Sequence, residues 1–256
     1  MPPRTSAFHP AGTLDEVIAR LDGIIETAQR EQSRLGYFTA LYRKMTVEVK
    51  RSIAAGRFEE GPRMERLDVI FANRYFEAWH QHRAGGQPVK CWRYAFAMAK
   101  QRRALILQHL LLGINAHINL DLSVAAAQTC PGNQYPALKR DFDEINNVLS
   151  NLLDEVQKEI AAVSPLFGLL DQVGGRSDEA ISNFSLNRAR TAAWLNGQRL
   201  AALDRRGQYI EIGKQDLVVT ALAAVVCNPA MFAHPTWKAI CAAESEDVRR
   251  VIEVLK

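Results

Sequence analysis

Only four cysteines occur in 256 residues. Cys91, Cys130, Cys227 and Cys241 form no CxxC pair and no zinc-ribbon spacing, so they read as dispersed, reduced thiols. Charge of one sign is also scarce: Lys plus Arg number 32 against 28 Asp plus Glu. The concentrated basic face of a nucleic-acid binder is therefore not expected. Long apolar runs are missing too. The longest nearly apolar run, Leu217 to Cys227, is about half of the roughly 20 residues that a spanning helix needs, and no membrane span is expected. The opening MPPRTSAFHP has neither an apolar stretch nor a small-residue cleavage site. A cytoplasmic protein is expected, with residues 1–12 as a flexible tail. Absent as well are GxSxG, a P-loop, GxGxxG and HExxH, which argues against serine-hydrolase, nucleotide-hydrolysing and dinucleotide redox chemistry.

What the chain does have is helical periodicity, with almost no period-two alternation. Thr13-Leu-Asp-Glu16 reads as a capping box ahead of Val17, Leu21, Ile24 and Ile25. A second helix spans about 37–55 and stops at Gly56. Pro62 suits a first turn, and its helix runs to Ala84-Gly85-Gly86. Pro88 restarts the chain into one long helical stretch to about Ala127. Pro136 opens another helix reaching about Val163; a short helix follows over 165–173, and a longer one over 177–203. The tail adds helices at 214–227, 234–243 and 245–254. Only Gly207 to Gly213 alternates enough to suggest an extended segment. No Pro/Gly/Ser linker and no 30- to 45-residue repeat divides the chain. The expectation is an all-α protein, a single globular multi-helix domain of about nine helices.

Function in such a fold shows as polar side chains on helices that are otherwise apolar. Gln108 to Leu122 (QHLLLGINAHINLDL) is the densest case. On a wheel of about 100° per residue, His109, Gly113, His117 and Asp121 share one face, and Gln108, Asn115 and Asn119 form a second stripe nearly opposite. His117 and Asp121 are one turn apart, the spacing at which a helix presents two ligands to one metal, and imidazole with carboxylate suits zinc or iron. His109 lies about 12 Å from His117 along the axis, in another layer, as a proton carrier or second-site ligand. The competing reading is a buried network in which His117 bonds Asp121 to fix helix packing.

Arg66 to Phe76 reads as the partner helix. Asp68, Phe71, Tyr75 and Trp79 share a face, which puts one carboxylate among aromatic rings, where a metal, Arg or His should meet it. Asp68 is accordingly a candidate third ligand or general base. Asn73, Tyr75, Asn115, Asn119 and Arg188 are candidate substrate contacts, and Arg188 and Arg190 stand ready for an anionic substrate or a buried carboxylate. Glu77 and His80 have an ExxH spacing but sit near a solvated helix end.

Three resemblances follow from these residues. Arg63–Phe76, Gln108–Leu122 and Asn183–Trp194, occurring in that order, resemble a bacterial family of unknown function spanning nearly the whole chain. His117 and Asp121 are similar to the HxxxD ligand pairs of the all-α zinc-dependent phospholipase C and single-strand nuclease group, although that group's further pair and N-terminal tryptophan ligand have no counterpart here. Asn146, Ser150 and Asp154 resemble the magnesium motif of class I terpene cyclases. The resulting expectation is a metal-dependent enzyme acting on a small, largely apolar molecule, by hydrolysis if the metal is zinc and by oxygen chemistry if it is iron. A metal-free binding or scaffold protein and a cyclase or isomerase are the alternatives.

Overall fold

A computed structural model describes residues 7–166, 186–227 and 234–256. Among these residues it contains eleven α-helices and no strand, so the chain is all-α with more helices than the nine expected. They are α1 (Leu14–Glu31), α2 (Leu35–Ala54), α3 (Gly61–Arg83), α4 (Lys90–Met98), α5 (Ile106–Ala116), α6 (Leu122–Thr129), α7 (Lys139–Val163), α8 (Leu186–Ala201), α9 (Arg205–Val226), α10 (Pro235–Ala243) and α11 (Val248–Leu255). A π-turn, His117–Asp121, joins α5 to α6, and a 3₁₀ turn, Gly132–Leu138, precedes α7.

Thr13 caps α1 as its motif indicates, its Oγ1 accepting from Glu16 N at 3.2 Å while Glu16 accepts from Gly12 N. The start of the expected tail is only partly covered, because residues 1–6 lie outside the described residues. Ala11, though, is buried and held by Asn73: Ala11 N donates to Oδ1 at 2.7 Å and Nδ2 donates back to Ala11 O at 2.9 Å. Asn73, expected at a substrate, thus fastens the N-terminal segment to α3.

Three expectations are corrected. The stretch after Pro88 is interrupted, because the exposed run Lys100 to Arg103 leaves α4 and the chain restarts at Ile106, where α5, the π-turn and α6 follow without a break. Pro136 lies within the 3₁₀ turn, and α7 begins at Lys139. Residues 207–213 belong to α9, not to an extended segment: Asp204 caps the helix by accepting from Gly207 N at 2.8 Å, and the exposed Tyr209 and Ile210 meet no neighbouring strand. The helix expected at 165–173 and the start of that expected at 177–203 fall largely outside the described residues.

Helices α3, α4 and α5 receive carboxylates at their N-terminal ends from elements distant in sequence. Asp141 of α7 accepts from Glu59 N and Glu60 N and pairs with Arg63 at 2.6 Å. Asp216 of α9 accepts from Lys90 N and Cys91 N, both at 2.8 Å. Glu244, just past α10, accepts from Ile106 N and from Ser164 Oγ. Each satisfies backbone donors that the helix itself leaves open and lies where the helix dipole favours negative charge.

The segment from Ile106 to Thr129 runs through the middle of the fold, packed against α2, α3, α4, α8 and α9. By length and composition it is apolar enough to cross a membrane, but 83% of its most apolar window is buried inside the protein. Its second polar stripe faces α9 in antiparallel register: Gln108 Nε2 donates to Val226 O at 2.7 Å, Asn115 Nδ2 to Val219 O at 2.9 Å, and Ser123 Oγ to Gln215 Oε1 at 3.0 Å. Asn119 Nδ2 donates to Asn115 Oδ1 at 2.9 Å. Asn115, expected at a substrate, therefore joins the segment to α9, and Asn119, expected there too, braces Asn115 from one turn away. On the other side Gly113 lets Phe38 lie directly against the backbone, since a Cβ there would overlap the ring.

Candidate active site

His117 and Asp121 sit within the π-turn, 2% and 1% exposed at their side chains. The turn closes with Leu122 N donating to His117 O, a five-residue reach that inserts one residue into the helical register. His117 Nδ1 lies 3.2 Å from Asp121 Oδ2. An ionised carboxylate can only accept, so Nδ1 carries the proton and Nε2 presents its lone pair. Arg74 Nε donates to Asp121 Oδ1 at 2.9 Å, and Trp92 Nε1 donates to Oδ2 at 2.8 Å. Asp121 is thereby an anion met on each oxygen by a protein donor, and it faces a guanidinium and an indole where the sequence suggested an ion. The buried cation requirement falls to Arg74, next in sequence to Asn73.

Aromatic rings surround the imidazole. Phe71 stacks on it with centroids 3.5 Å apart and planes 10° from parallel, and Tyr42 meets it edge-on at 4.4 Å. Phe38, Trp92 and Tyr75 follow at 5.7, 6.0 and 6.2 Å. Burial in this setting holds the imidazole pKa below its usual range, against the opposing pull of Asp121. His117 is thus neutral and unprotonated at Nε2.

Beside it lies an apolar cavity of about 120 Å³. Phe38, Tyr42, Met45 and Val49 come from α2, Leu67, Asp68 and Phe71 from α3, His117 and Ile118 from the π-turn, Phe142, Ile145 and Leu149 from α7, and Leu186 and Arg190 from α8. The α2 and α3 members recur at helical spacing, which is why their side chains reach one space. Met45, Ile114, Leu149 and Leu186 are the half-buried members of the wall.

Three buried polar atoms on this lining lack a hydrogen-bond partner among the described residues: Tyr42 Oη, Asp68 Oδ2 and His117 Nε2. Among the described residues no Arg or His side chain meets the Asp68 oxygen, which stays open to a ligand or an ion. With no cation beside it, burial pushes the carboxyl pKa up to about 7, so it is substantially protonated at neutral pH. Burial also raises the Tyr42 hydroxyl. Tyr75 is near the site, but its hydroxyl is engaged by Thr39 Oγ1 at 2.6 Å.

Arg188 is exposed on α8, whereas Arg190 is buried at the cavity wall. Arg190 Nε donates to Asn146 Oδ1 and Nη2 to Phe142 O, both at 2.6 Å, and its guanidinium lies 4.5 Å from the Phe142 ring centre. The expectation that these arginines satisfy a buried carboxylate is corrected for Arg190, whose partners are neutral oxygens. The same bond occupies Asn146 of the cyclase-like motif; Ser150 is exposed, and the Asp154 side chain lies outside the described residues.

His109 belongs elsewhere. It lines a separate polar pocket with Arg34, Tyr37 and Glu244, as its axial distance from His117 implies, and its Nε2 is unpartnered. Burial lowers its pKa to about 3. Glu77 accepts from Gln81, and His80 packs near Phe8, so the ExxH pair forms no site. Among the described residues no three His, Cys, Asp or Glu side chains gather as an ion-binding group.

Of the residues singled out in the sequence, His117, Asp68 and Arg190 line one cavity and Asp121 stands behind His117, whereas Tyr75 is not on its lining; Tyr42, Arg74 and Trp92 had not been singled out for the parts they play. For Arg74 a signal existed, because a buried Asp121 demands a donor with charge. The sequence profile of a family of unknown function, DUF5995, matches residues 14–229. No curated protein and no solved structure matches the chain.

Proposed function

The chain belongs to this family of unknown function, and we propose that it is an enzyme acting on a small, largely apolar substrate held in the cavity beside His117. His117 is the general base, working through Nε2; Asp121 fixes its tautomer and offsets the positive charge that develops on proton uptake. Asp68 is the paired acid, protonated in its apolar surroundings and able to donate to the reacting group. Tyr42 orients the substrate's polar atom through its hydroxyl.

One observation carries this reading: Tyr42 Oη, Asp68 Oδ2 and His117 Nε2 are buried without partners on the wall of the same cavity. Leaving such atoms unpaired costs about 1–3 kcal/mol each, and most buried polar groups are paired, so three together point to a ligand that completes them.

A second reading keeps the metal. A carboxylate behind Nδ1 with Nε2 free is also the arrangement that supports a metal-bound imidazole. In that case His117 and Asp68 are the protein donors, Asp121 orients His117 from behind, and a bound zinc would supply activated water or an iron oxygen chemistry.

The test is turnover of a panel of small esters, alcohols and ketones, followed by mass spectrometry, with the elemental content of the same preparations measured alongside. Turnover in the wild type that disappears in both His117→Ala and Asp68→Asn, with helix content retained, supports the enzyme. Stoichiometric zinc or iron that is lost in His117→Ala selects the metal reading. Undiminished turnover in both variants, or no turnover and no binding in the wild type, overturns the proposal.

A further inference from the structure

Arg190 is the one charged lining residue of the cavity whose partners, among the described residues, are all neutral. Its side chain comes from α8 and lies on the wall built with α7, where Nε and Nη2 are held by Asn146 Oδ1 and Phe142 O. Nη1 makes no hydrogen bond to any described residue. No carboxylate among the described residues lies within ion-pair distance of it, and Asp143, the acidic residue whose field reaches it, is exposed and bonded to Lys139. A buried guanidinium fixed by two neutral acceptors is a cation with its orientation set and, among the described residues, its counter-charge missing.

The rest of the wall restricts what supplies that charge. Around it Met45, Val49, Leu67, Ile118, Ile145 and Leu149 offer no hydrogen-bond donor. A phosphate or sulfate would bury further charged oxygens against these side chains without donors. A carboxylate has one charge to place, and its hydrocarbon body suits the remaining wall. Size sets an upper bound, since a void of about 150 Å³ accommodates benzene and this one, at about 120 Å³, is smaller.

From this geometry we infer that the substrate is a small apolar monocarboxylate, of roughly five carbons or fewer by the benzene comparison, whose carboxylate takes the Nη1 donor of Arg190. The inference rests on the reading that the cavity is a substrate site. It divides the site into two ends: Arg190 anchors the acid group by charge, and Tyr42, Asp68 and His117 attend to the rest of the molecule.

The experiment is calorimetric or NMR titration of the full-length protein with matched pairs, pentanoate against pentan-1-ol and butanoate against butan-1-ol. The acid is expected to bind about ten-fold or more tightly than its alcohol, as a charge-assisted bond to a buried guanidinium implies. Arg190→Gln should abolish that preference and leave alcohol binding within about two-fold, because the neutral side chain keeps the wall and removes only the charge. Asn146→Ala, which retains the cation, should keep the preference. Should Arg190→Gln fail to fold, the wild-type preference and a shift of the Arg190 Nε–H resonance by acids alone decide the matter. Alcohols that bind as well as or better than acids, or a preference that survives Arg190→Gln, overturn the inference and leave the apolar site standing. If neither acids nor alcohols bind, the substrate-site reading falls with it.

Discussion

The imidazole of His117 lies flat against the ring of Phe71, their centroids 3.5 Å apart and their planes within 10°. With Nδ1 tied to Asp121, this stack fixes the remaining rotation of the ring and therefore the direction of Nε2. Phe71→Ala should remove about 3–5 kcal/mol of stability through the cavity it leaves. It should also broaden the His117 ring resonances as the imidazole gains freedom. Urea unfolding and side-chain NMR check the two effects separately.

Asp121→Asn keeps the shape and removes the charge. Arg74 then faces a neutral amide, and the two donors on Oδ2, from Trp92 and His117, compete with an amide that is itself a donor. Loss of about 3 kcal/mol is expected, the low end for a broken buried pair because Arg74 retains some contact with water. The ¹⁵N shifts of His117 should show Nδ1–H in the wild type and lose that tautomer's dominance in the variant. An unchanged tautomer would remove Asp121 from its orienting role.

Asp68 has a folded pKa of about 7 against 3.8 for an unperturbed aspartate. The folded state therefore holds a proton that the unfolded chain releases, and stability falls as pH rises from about 4 to about 7. At about 1.4 kcal/mol per unit, the window amounts to roughly 4 kcal/mol. Asp68→Asn carries no such penalty. It should match the wild type near pH 4 and exceed it above pH 7, as measured by urea midpoints at pH 4 and pH 8. An equal difference at both would contradict the buried, protonated carboxyl.

His109 acts in the opposite direction. Its pKa falls from 6.5 to about 3 on burial, so the unfolded chain takes up a proton that the folded state refuses. Stability is lost as pH drops below about 6.5, by roughly 3 kcal/mol on reaching pH 4. His109→Gln should flatten that acid limb whatever its effect at neutral pH. Slopes of stability against pH, compared between the two proteins, give the answer.

The fold class was legible because the helices carry their apolar residues at helical spacing and their boundaries at Thr13, Gly56, Pro62 and Gly85 are written in caps and breakers. The pairing of His117 with Asp121 was legible for the same reason, four residues being one turn. What escaped was whatever depends on a neighbour far along the chain. The break before Ile106 is stabilised by Glu244, 138 residues away, and nothing local announces it. The π-turn is equally silent, since HINLD is an unremarkable helical sequence. Its extra residue shifts the register, so a regular wheel drawn through Gln108 to Leu122 misplaces everything beyond His117 relative to His109. Arg74 and Trp92 reach Asp121 across helix contacts that periodicity within one helix cannot supply.

Glu244 also bears on how much of the chain makes a folding unit. It lies beyond residue 229, where the family match ends, yet it supplies the acceptor at the entrance of α5. Past it, α11 seats Val251, Ile252 and Leu255 against α1, α2 and α7, with Ile252 filling the space left by Gly36. The matched stretch is therefore a unit of ancestry rather than of stability: cut free at its own boundary, it would carry every residue of the cavity and lack the clasp that holds the helix beneath it.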